Sequence, residues 1–578
     1  MKRNIFIWLL ILSEFVFFAA CSKTTEPEIN DEQQSENNVN ADTSAANSGD
    51  HEDADDYIWN DSDVIPVELN GNSITENTTG AEVSGSTLLI SSAGTYSLTG
   101  TLTDGQIIVN TEDEAVVRIL LNGVNITCSS NAPVYIKKSS KTIIFLADNT
   151  DNTLTDGSSY VLEDAAAAEP NAAIYSKSDL TIFGNGSLRV TGNYNDAIAS
   201  KDGLIIKSGN ISISAQDDGI RGKDYLIIKD GNLNVNANGD GLKSDNSEDA
   251  TKGYVSIMNG SINITSGGDG IAAETDAMIY GGTITVLSGG GSSRTVSGTE
   301  SAKGIKGSVS VTVNGGTIDI NSADDGIHSN AYVAINNGDI TISSGDDGIH
   351  GDSAIKISDG DIKITKSVEG IEAASITVDN GIVNIVSSDD GFNATYGNDG
   401  ERNDGSCLYL NGGIICVNSS RGDGLDSNGN IVMTDGTVIV HGPSSNPEVG
   451  TDYNGSFNIS GGFLVITGPN SGNMIEATST SSEQYAVKAS SNSQISANAL
   501  FHIQDEGGNN LVTFQPVRNC YYIVFSSSAL KNGSTYYIYT GGTSTGTNTN
   551  GLYSGGEYSG GSLRKSFSVS GKVTNVSF

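Results

Sequence analysis

Between about residues 186 and 462, apolar and polar positions alternate in short runs, and the runs recur. In 252–274, Val255 and Ile257 alternate with polar neighbours, Gly260 turns the chain, and Ile262 and Ile264 alternate again. Asp269-Gly270-Ile271 then makes a second turn that carries one more apolar residue. Period-2 alternation marks a strand with one buried face, so each unit predicts three short strands. The apolar positions align from unit to unit. Ile211, Leu233, Ile262, Ile284, Ile318, Ile340 and Ile362 form one ladder, with Ile213, Val235, Ile264, Val286, Ile320, Ile342 and Ile364 beside it. Ile220, Leu242, Ile271, Ile305, Ile327, Ile349, Ile371 and Phe392 form a third. The same alternation turns Ser212, Asn234, Asn263, Thr285, Asp319, Thr341 and Lys363 outward.

The second turn of each unit sets the beat. Its second acidic position falls at Asp196, Asp218, Asp240, Asp269, Lys303, Asp325, Asp347, Glu369, Asp390 and Asp423, most often at an interval of 22 residues. A repeat of this length with three strands per unit predicts a solenoid. Leucine-rich repeats share the period but would show Leu-x-x-Leu-x-Leu, and the nonapeptide calcium roll has a period of nine, so neither fits. The prediction is an all-β chain forming a parallel β-helix, right-handed by the crossover rule. Insertions at 245–253, 288–301 and 395–406 interrupt the beat, and the first and third leave from the same corner, where loops tend to build sites.

The two ends read differently. Residues 1–20 carry Lys2-Arg3 ahead of an apolar run that ends in Phe18-Ala19-Ala20-Cys21, which reads as a lipoprotein signal peptide with Cys21 as the lipidated residue. Residues 21–62 are rich in Asn, Asp, Glu and Ser and read as a flexible acidic tether. Residues 63–180 are β-like but irregular, an N-terminal β cap with the first coils, ahead of a regular helix over 181–480. Aromatic strands such as Tyr521-Tyr522-Ile523-Val524-Phe525 then place a C-terminal β cap over 481–578. The expected product is exported, lipid-anchored to the bacterial envelope, surface-exposed and monomeric, meeting the membrane only through its lipid.

A net charge of −39 excludes nucleic acid as a partner, because phosphate binding needs a basic surface, and it favours cations. If the coils stack in register, carboxylates repeat about every 4.8 Å along one edge, and like charges at that spacing repel. Calcium, which takes six to eight oxygens, could bridge successive turns. The candidate ligands are Asp196, Asp217, Asp218, Asp240, Asp269, Asp324, Asp325, Asp346, Asp347, Asp389, Asp390 and Asp423, with a second acidic group at Asp224, Asp245, Glu274 and Asp352. Asp-Gly as ordinary turn chemistry explains one Asp per turn but not the doubled one. Lys303 replaces Asp in the column, either as a local ion pair or as a base beside calcium. Arg221 and Lys243 are candidates to clamp a sugar carboxylate, and Tyr225 and Tyr254 to stack on pyranose rings. Cys128, Cys407, Cys416 and Cys520 form no zinc-like cluster, and spacing leaves a Cys407–Cys416 bridge open.

Several segments also resemble a bacterial carbohydrate-binding β-helix family whose fold is similar to pectate lyases. They are Gly94-Thr95-Tyr96-Ser97-Leu98-Thr99-Gly100, Asp104-Gly105-Gln106-Ile107-Ile108-Val109, Leu121-Asn122-Gly123-Val124, the run from Asn171 to Ile182, and the D-D-G-I turns. The resemblance spans roughly 64–578. It implies a right-handed parallel β-helix, bound Ca2+, and binding of cellulose or acidic plant polysaccharides such as polygalacturonate without established cleavage. Three functions follow: a calcium-containing polysaccharide-binding protein, a calcium-dependent polysaccharide lyase with Lys243, Lys303 or Lys306 as base, or an adhesive surface rod.

Overall fold

A computed structural model describes residue 47, residue 49 and residues 51–578, apart from 77–79, 165, 167, 298, 299, 398, 399 and 401. The chain divides into units 1–40 and 41–578, and every described residue belongs to the second. The expected signal peptide, Cys21 and most of the tether lie outside the described residues.

Each coil of the second unit is built from three strands, and every strand pairs in parallel with its counterpart one coil on. On the first face Gly203–Ile206 pairs with Tyr225–Ile228, then Tyr254–Ile257, then Asp276–Ile279. On the second, Asn210–Ala215 pairs with Asn232–Ala237, Ser261–Ser266 and Thr283–Ser288. On the third, Ile220–Gly222 pairs with Leu242–Ser244, Ile271–Ala273 and Ile305–Gly307. This is the parallel β-helix that the alternation predicts. The three apolar ladders converge in one continuous core, with Ile211, Leu233, Ile262, Ile220, Leu242 and Ile271 all buried.

The glycine of each D-D-G turn answers to stacking rather than to turn conformation. A Cβ on Gly219 would stand 2.5 Å from the Gly241 carbonyl oxygen, and one on Gly241 would stand 2.6 Å from that of Gly270. The series continues through Gly304, Gly326 and Gly348 to Gly424, so the coils approach too closely there for any side chain.

At the far end Phe463–Gly468 closes the parallel stack by pairing antiparallel with Cys520–Ser527. A separate antiparallel sheet that includes Phe501–Asp505, Thr535–Thr540 and Ser562–Ser568 packs over a second apolar cluster around Phe501, Phe514 and Phe525. Cys128, Cys407, Cys416 and Cys520 are all buried free thiols. The open question of a Cys407–Cys416 bridge is thereby answered.

The last part of the expected tether is docked on the first face. Ala54–Tyr57 and Asp61–Asp63 are short 3-10 turns. Trp59 packs on Phe145 (5.2 Å) and Tyr57 on Phe183 (4.8 Å). Buried Asp56 pairs with Lys141 at 2.8 Å, and the Arg118 guanidinium donates to the Asp55 and Asp56 carbonyls. Glu52 joins Lys207 and Lys229, the His51 ring stacks on Tyr225 at 3.9 Å, and the Asn47 amide donates to Asp276 at 2.6 Å. The segment thus touches successive coils, a contact that no local sequence period encodes.

Candidate functional site

The acidic turns stand where the second strand of a coil gives way to the third. Their two aspartates do different work. The first, as at Asp217, Asp346 and Asp389, is exposed. The second is turned in toward the next coil and accepts a backbone N–H from it. The amide of Asp218 donates to Asp196 Oδ1 (3.3 Å), that of Asp240 to Asp218 (2.9 Å), that of Asp269 to Asp240 (2.8 Å) and that of Lys303 to Asp269 (2.8 Å). Asp347 donates likewise to Asp325 (3.1 Å) and Asp423 to Asp390 (2.6 Å). One oxygen of each of these six carboxylates is therefore a rung between coils, and the other is left to face a side chain or a cation.

What faces that second oxygen changes along the ridge. The outward position after each Gly-apolar pair is held in strand register from coil to coil: Arg221, Lys243, Ala272, Lys306, His328, His350, Glu372, Asn393, Asp426 and Asp452. The series runs from cation through imidazole to carboxylate.

At the cationic end the ridge neutralises itself. Arg221 meets Asp196 Oδ2 at 3.0 Å and Asp245 at 3.3 Å, and Lys243 lies between Asp218 (3.1 Å) and Asp240 (2.9 Å). Lys306 reaches Asp269 at 3.8 Å, and Lys303 bridges Asp324 and Asp325 at 2.8 Å each. Lys303 is thus the local ion pair of the two readings its position allows. Burial disfavours the charge on Asp325, yet the bonds from His328 and Lys303 hold its carboxyl down at about 2. Burial also works against Lys243 and Lys303, but their aspartate partners outweigh it and raise both pKa values. Arg221 and Lys243, expected to clamp a sugar acid, are instead spent on the protein's own carboxylates.

In the middle, His328 and His350 stack at 5.0 Å. His328 Nδ1 lies 2.7 Å from Asp325 Oδ2; His350 Nδ1 lies 2.9 Å from Asp347 and Nε2 lies 3.0 Å from Asp352. Burial opposes a charge on His350, but the bond to Asp347 and the surrounding carboxylates reverse that and raise its pKa. Beyond it, Asp389, Asp390 and Asp423 form no ion pair among the described residues. Burial first, then Asp389, Glu369 and Glu448, push Asp390 up to about 7. Burial first, then Asp390, Asp452 and Glu448, push Asp423 up to about 8.

Two all-carboxylate groups in this half bring ligand oxygens within 4.8 Å of one another: Asp346, Asp347 and Glu369, and Asp423, Asp426 and Asp452. Next to the second, Glu476 Oε2 is buried without a hydrogen-bond partner among the described residues. Burial, then Asp452, raises Glu476 to about 7. An all-oxygen donor set with surplus negative charge and an orphaned carboxylate oxygen fits a hard divalent cation.

With this geometry in place, comparison with known proteins is direct. The family described as carbohydrate-binding domain-containing protein matches residues 84–348 and 346–505, more than half of the chain. The chain belongs to that family. A relative of the same description from Acetivibrio thermocellus is 44% identical over 140 residues, which are 24% of this chain and 49% of the relative, so the match spans about half of that protein's length. A solved structure described as the polysaccharide lyase-like protein from C. thermocellum, gadolinium derivative, aligns with a TM-score of 0.40 at 32% identity, over 48% of this chain and 98% of that one.

In this member of the family the remaining expected site residues are dispersed. Asp245 and Asp352 reach the ridge through Arg221 and His350. Asp224 lies at a different corner, bonded to Asn246 (2.6 Å) and Lys252 (2.7 Å), and Glu274 is exposed outside the carboxylate groups. Tyr225 and Tyr254 are paired in register as expected, but they are only 7% and 2% exposed. His51 stacks on the first, and its Nε2 lies 2.7 Å from the hydroxyl of the second, so these rings offer no open sugar platform. Glu369, Glu372, Asp426 and Asp452 are absent from the expected ligand set. Gly424-Leu425-Asp426 and Gly450-Thr451-Asp452 share a Gly-x-Asp spacing that marks the last two, once the 442–449 insertion is allowed for.

Proposed function

We propose that this protein is a calcium-containing polysaccharide-binding protein of the bacterial envelope, held there by lipid on Cys21, and that it binds without cleaving. The observation that carries the calcium reading is the run from Asp346 to Asp452, where two groups of three carboxylates each bring ligand oxygens within 4.8 Å of one another. Asp346, Asp347 and Glu369 would hold one ion, and Asp423, Asp426 and Asp452 another. Bound there, a divalent cation supplies charge neutralisation and a point at which an acidic sugar can complete the shell. The side chains do the rest of the work: the inner aspartates bond the coils together, and their outer oxygens keep a fixed spacing. Family membership supports the carbohydrate ligand, with cellulose and polygalacturonate as the candidates.

A lyase reading finds less support. Proton abstraction beside a uronate carboxyl needs a neutral amine, whereas Lys243 and Lys303 are held charged between aspartates and Lys306 faces Asp269. The test is affinity electrophoresis of the protein in gels containing polygalacturonate or hydroxyethyl cellulose, with calcium and with chelator, while the same mixtures are assayed for unsaturated uronates. Retardation without product is expected. Product would make the protein a lyase, and the absence of retardation in every gel, with calcium still raising thermal stability, would leave a structural rod.

A further inference from the structure

Over four coils the second face of the helix forms an uncharged window. Its middle outward row is Ser212, Asn234, Asn263 and Thr285, aligned residue for residue by the strand register. The flanking rows run from Asn210 to Thr283 and from Ser214 to Leu287. None of these positions carries a charge, in a chain whose net charge is −39. The neighbouring coils end this window with a charge on each side, Arg189 before it and Asp319 after it. Asn232, Asn234, Asn236 and Asn263 are exposed, and their side-chain amides form no hydrogen bond to the protein among the described residues.

Four surroundings set this window apart. The first face is already covered in part by the segment from Asn47 to Trp59. The ridge beside the window is its self-neutralised part, where Arg221, Lys243 and Lys306 answer Asp196, Asp218, Asp240 and Asp269. Past the window, the 288–301 insertion folds over the same face, with the Ser292 amide donating to Asn321 Oδ1 at 2.8 Å and Ser292 Oγ meeting Ser343 Oγ at 2.8 Å. Further on, Asn550 of the C-terminal cap donates to Asn384 at 3.0 Å, a second wall.

Resting on the polysaccharide-binding reading, we infer that this window docks an uncharged, extended β-1,4-linked glucan lying across the coils. The charge balance chooses the polymer. A polyuronate would meet no cationic side chain here and would run beside a carboxylate ridge, whereas hydroxyls of a neutral chain can both donate to and accept from amides and hydroxyls. The repeat chooses the direction. Successive coils place their outward side chains about 4.8 Å further along, with Ser, Thr or Asn at every position of the three rows except Leu287; this is close to the advance of one pyranose in an extended chain, so each sugar meets a further set of hydroxyls and amides. The separate ridge is left for cations and, through them, for acidic sugars.

The test is a depletion isotherm on microcrystalline cellulose for the parent and for Asn234→Ala/Asn263→Ala/Thr285→Ala, three exposed replacements on the strand surface. Lys565→Ala on the C-terminal cap serves as the control. The triple variant is expected to lose at least tenfold in cellulose affinity, with an unchanged circular dichroism spectrum and unchanged calcium-dependent retardation by polygalacturonate; the control keeps both. Equal cellulose affinity in triple variant and parent would overturn the docking face. Loss of polygalacturonate retardation with cellulose affinity intact would overturn the neutral-glucan assignment. A parent that binds neither polymer would overturn the polysaccharide-binding reading itself, and this inference with it.

Discussion

Replacing Asp423 by Asn removes one carboxylate from the carboxylate-rich half of the ridge while keeping an oxygen to accept the Val449 amide, which now donates to Asp423 Oδ1. Burial, with Asp390, Asp452 and Glu448 nearby, holds the Asp423 carboxyl at about 8, against about 3.9 in an unfolded chain. A group whose folded pKa is raised in this way adds stability below its unfolded value and loses it as pH climbs through the folded value. The window is therefore about pH 4 to 8. A shift of this size corresponds to a ceiling of roughly 6 kcal/mol at 1.36 kcal/mol per unit, and relaxation of the neighbouring loops reduces it to the order of 3 kcal/mol. In chelator at pH 8 the variant should be the more stable protein by about that amount, a few degrees in Tm for a chain of this size. The difference should shrink as pH falls toward 4. Calcium should stabilise the parent strongly and the variant less. Scanning calorimetry of both proteins at pH 5 and pH 8, with chelator and with calcium, gives the difference under all four conditions. A variant equal to or less stable than the parent in chelator at pH 8 would refute the reasoning, since it would mean that Asp423 is already neutralised within the fold.

Other consequences are as direct. Arg221→Ala strands the almost fully buried Asp196 and should cost about 3–5 kcal/mol in denaturant unfolding, with Arg221→Lys recovering part of it. Gly241→Ala forces a Cβ against the Gly270 carbonyl and should cost about 1–3 kcal/mol, read from the same unfolding curves; an unchanged midpoint would show that the coils can part there. His51→Ala with Trp59→Ala removes the stacks on Tyr225 and Phe145, so the 51–63 segment should become cleavable by limited proteolysis under native conditions. If cleavage does not increase, the ion pairs of Glu52 and Asp56 hold the segment alone.

Much of the fold was legible because a parallel β-helix is nearly a one-dimensional structure. Each coil packs only on its neighbours, so alternation of Ile262 and Ile264 with polar residues, repeated at a fixed interval, is sufficient to place strands, core ladders and turns. The acidic column was legible for the same reason: register turns a sequence period into a spatial row. The sequence alone also carried the charge imbalance, −39, that argues against a nucleic-acid partner and favours cations.

What only the tertiary structure decided is how each row is answered by its surroundings. Asp217 and Asp218 look alike in sequence, yet one is exposed and the other accepts the amide of Asp240, because the pleat turns alternate side chains to opposite sides. Arg221 and Lys243 read as free cations until the register set them between carboxylates of their own and adjoining coils. Tyr225 and Tyr254 do point away from the core, but a segment some two hundred residues earlier in the chain covers them. Periodicity specifies which side of a strand a residue occupies; which distant segment then lies upon that side depends on contacts that share no period with it, and it is these contacts that set where cations are required and which face stays open.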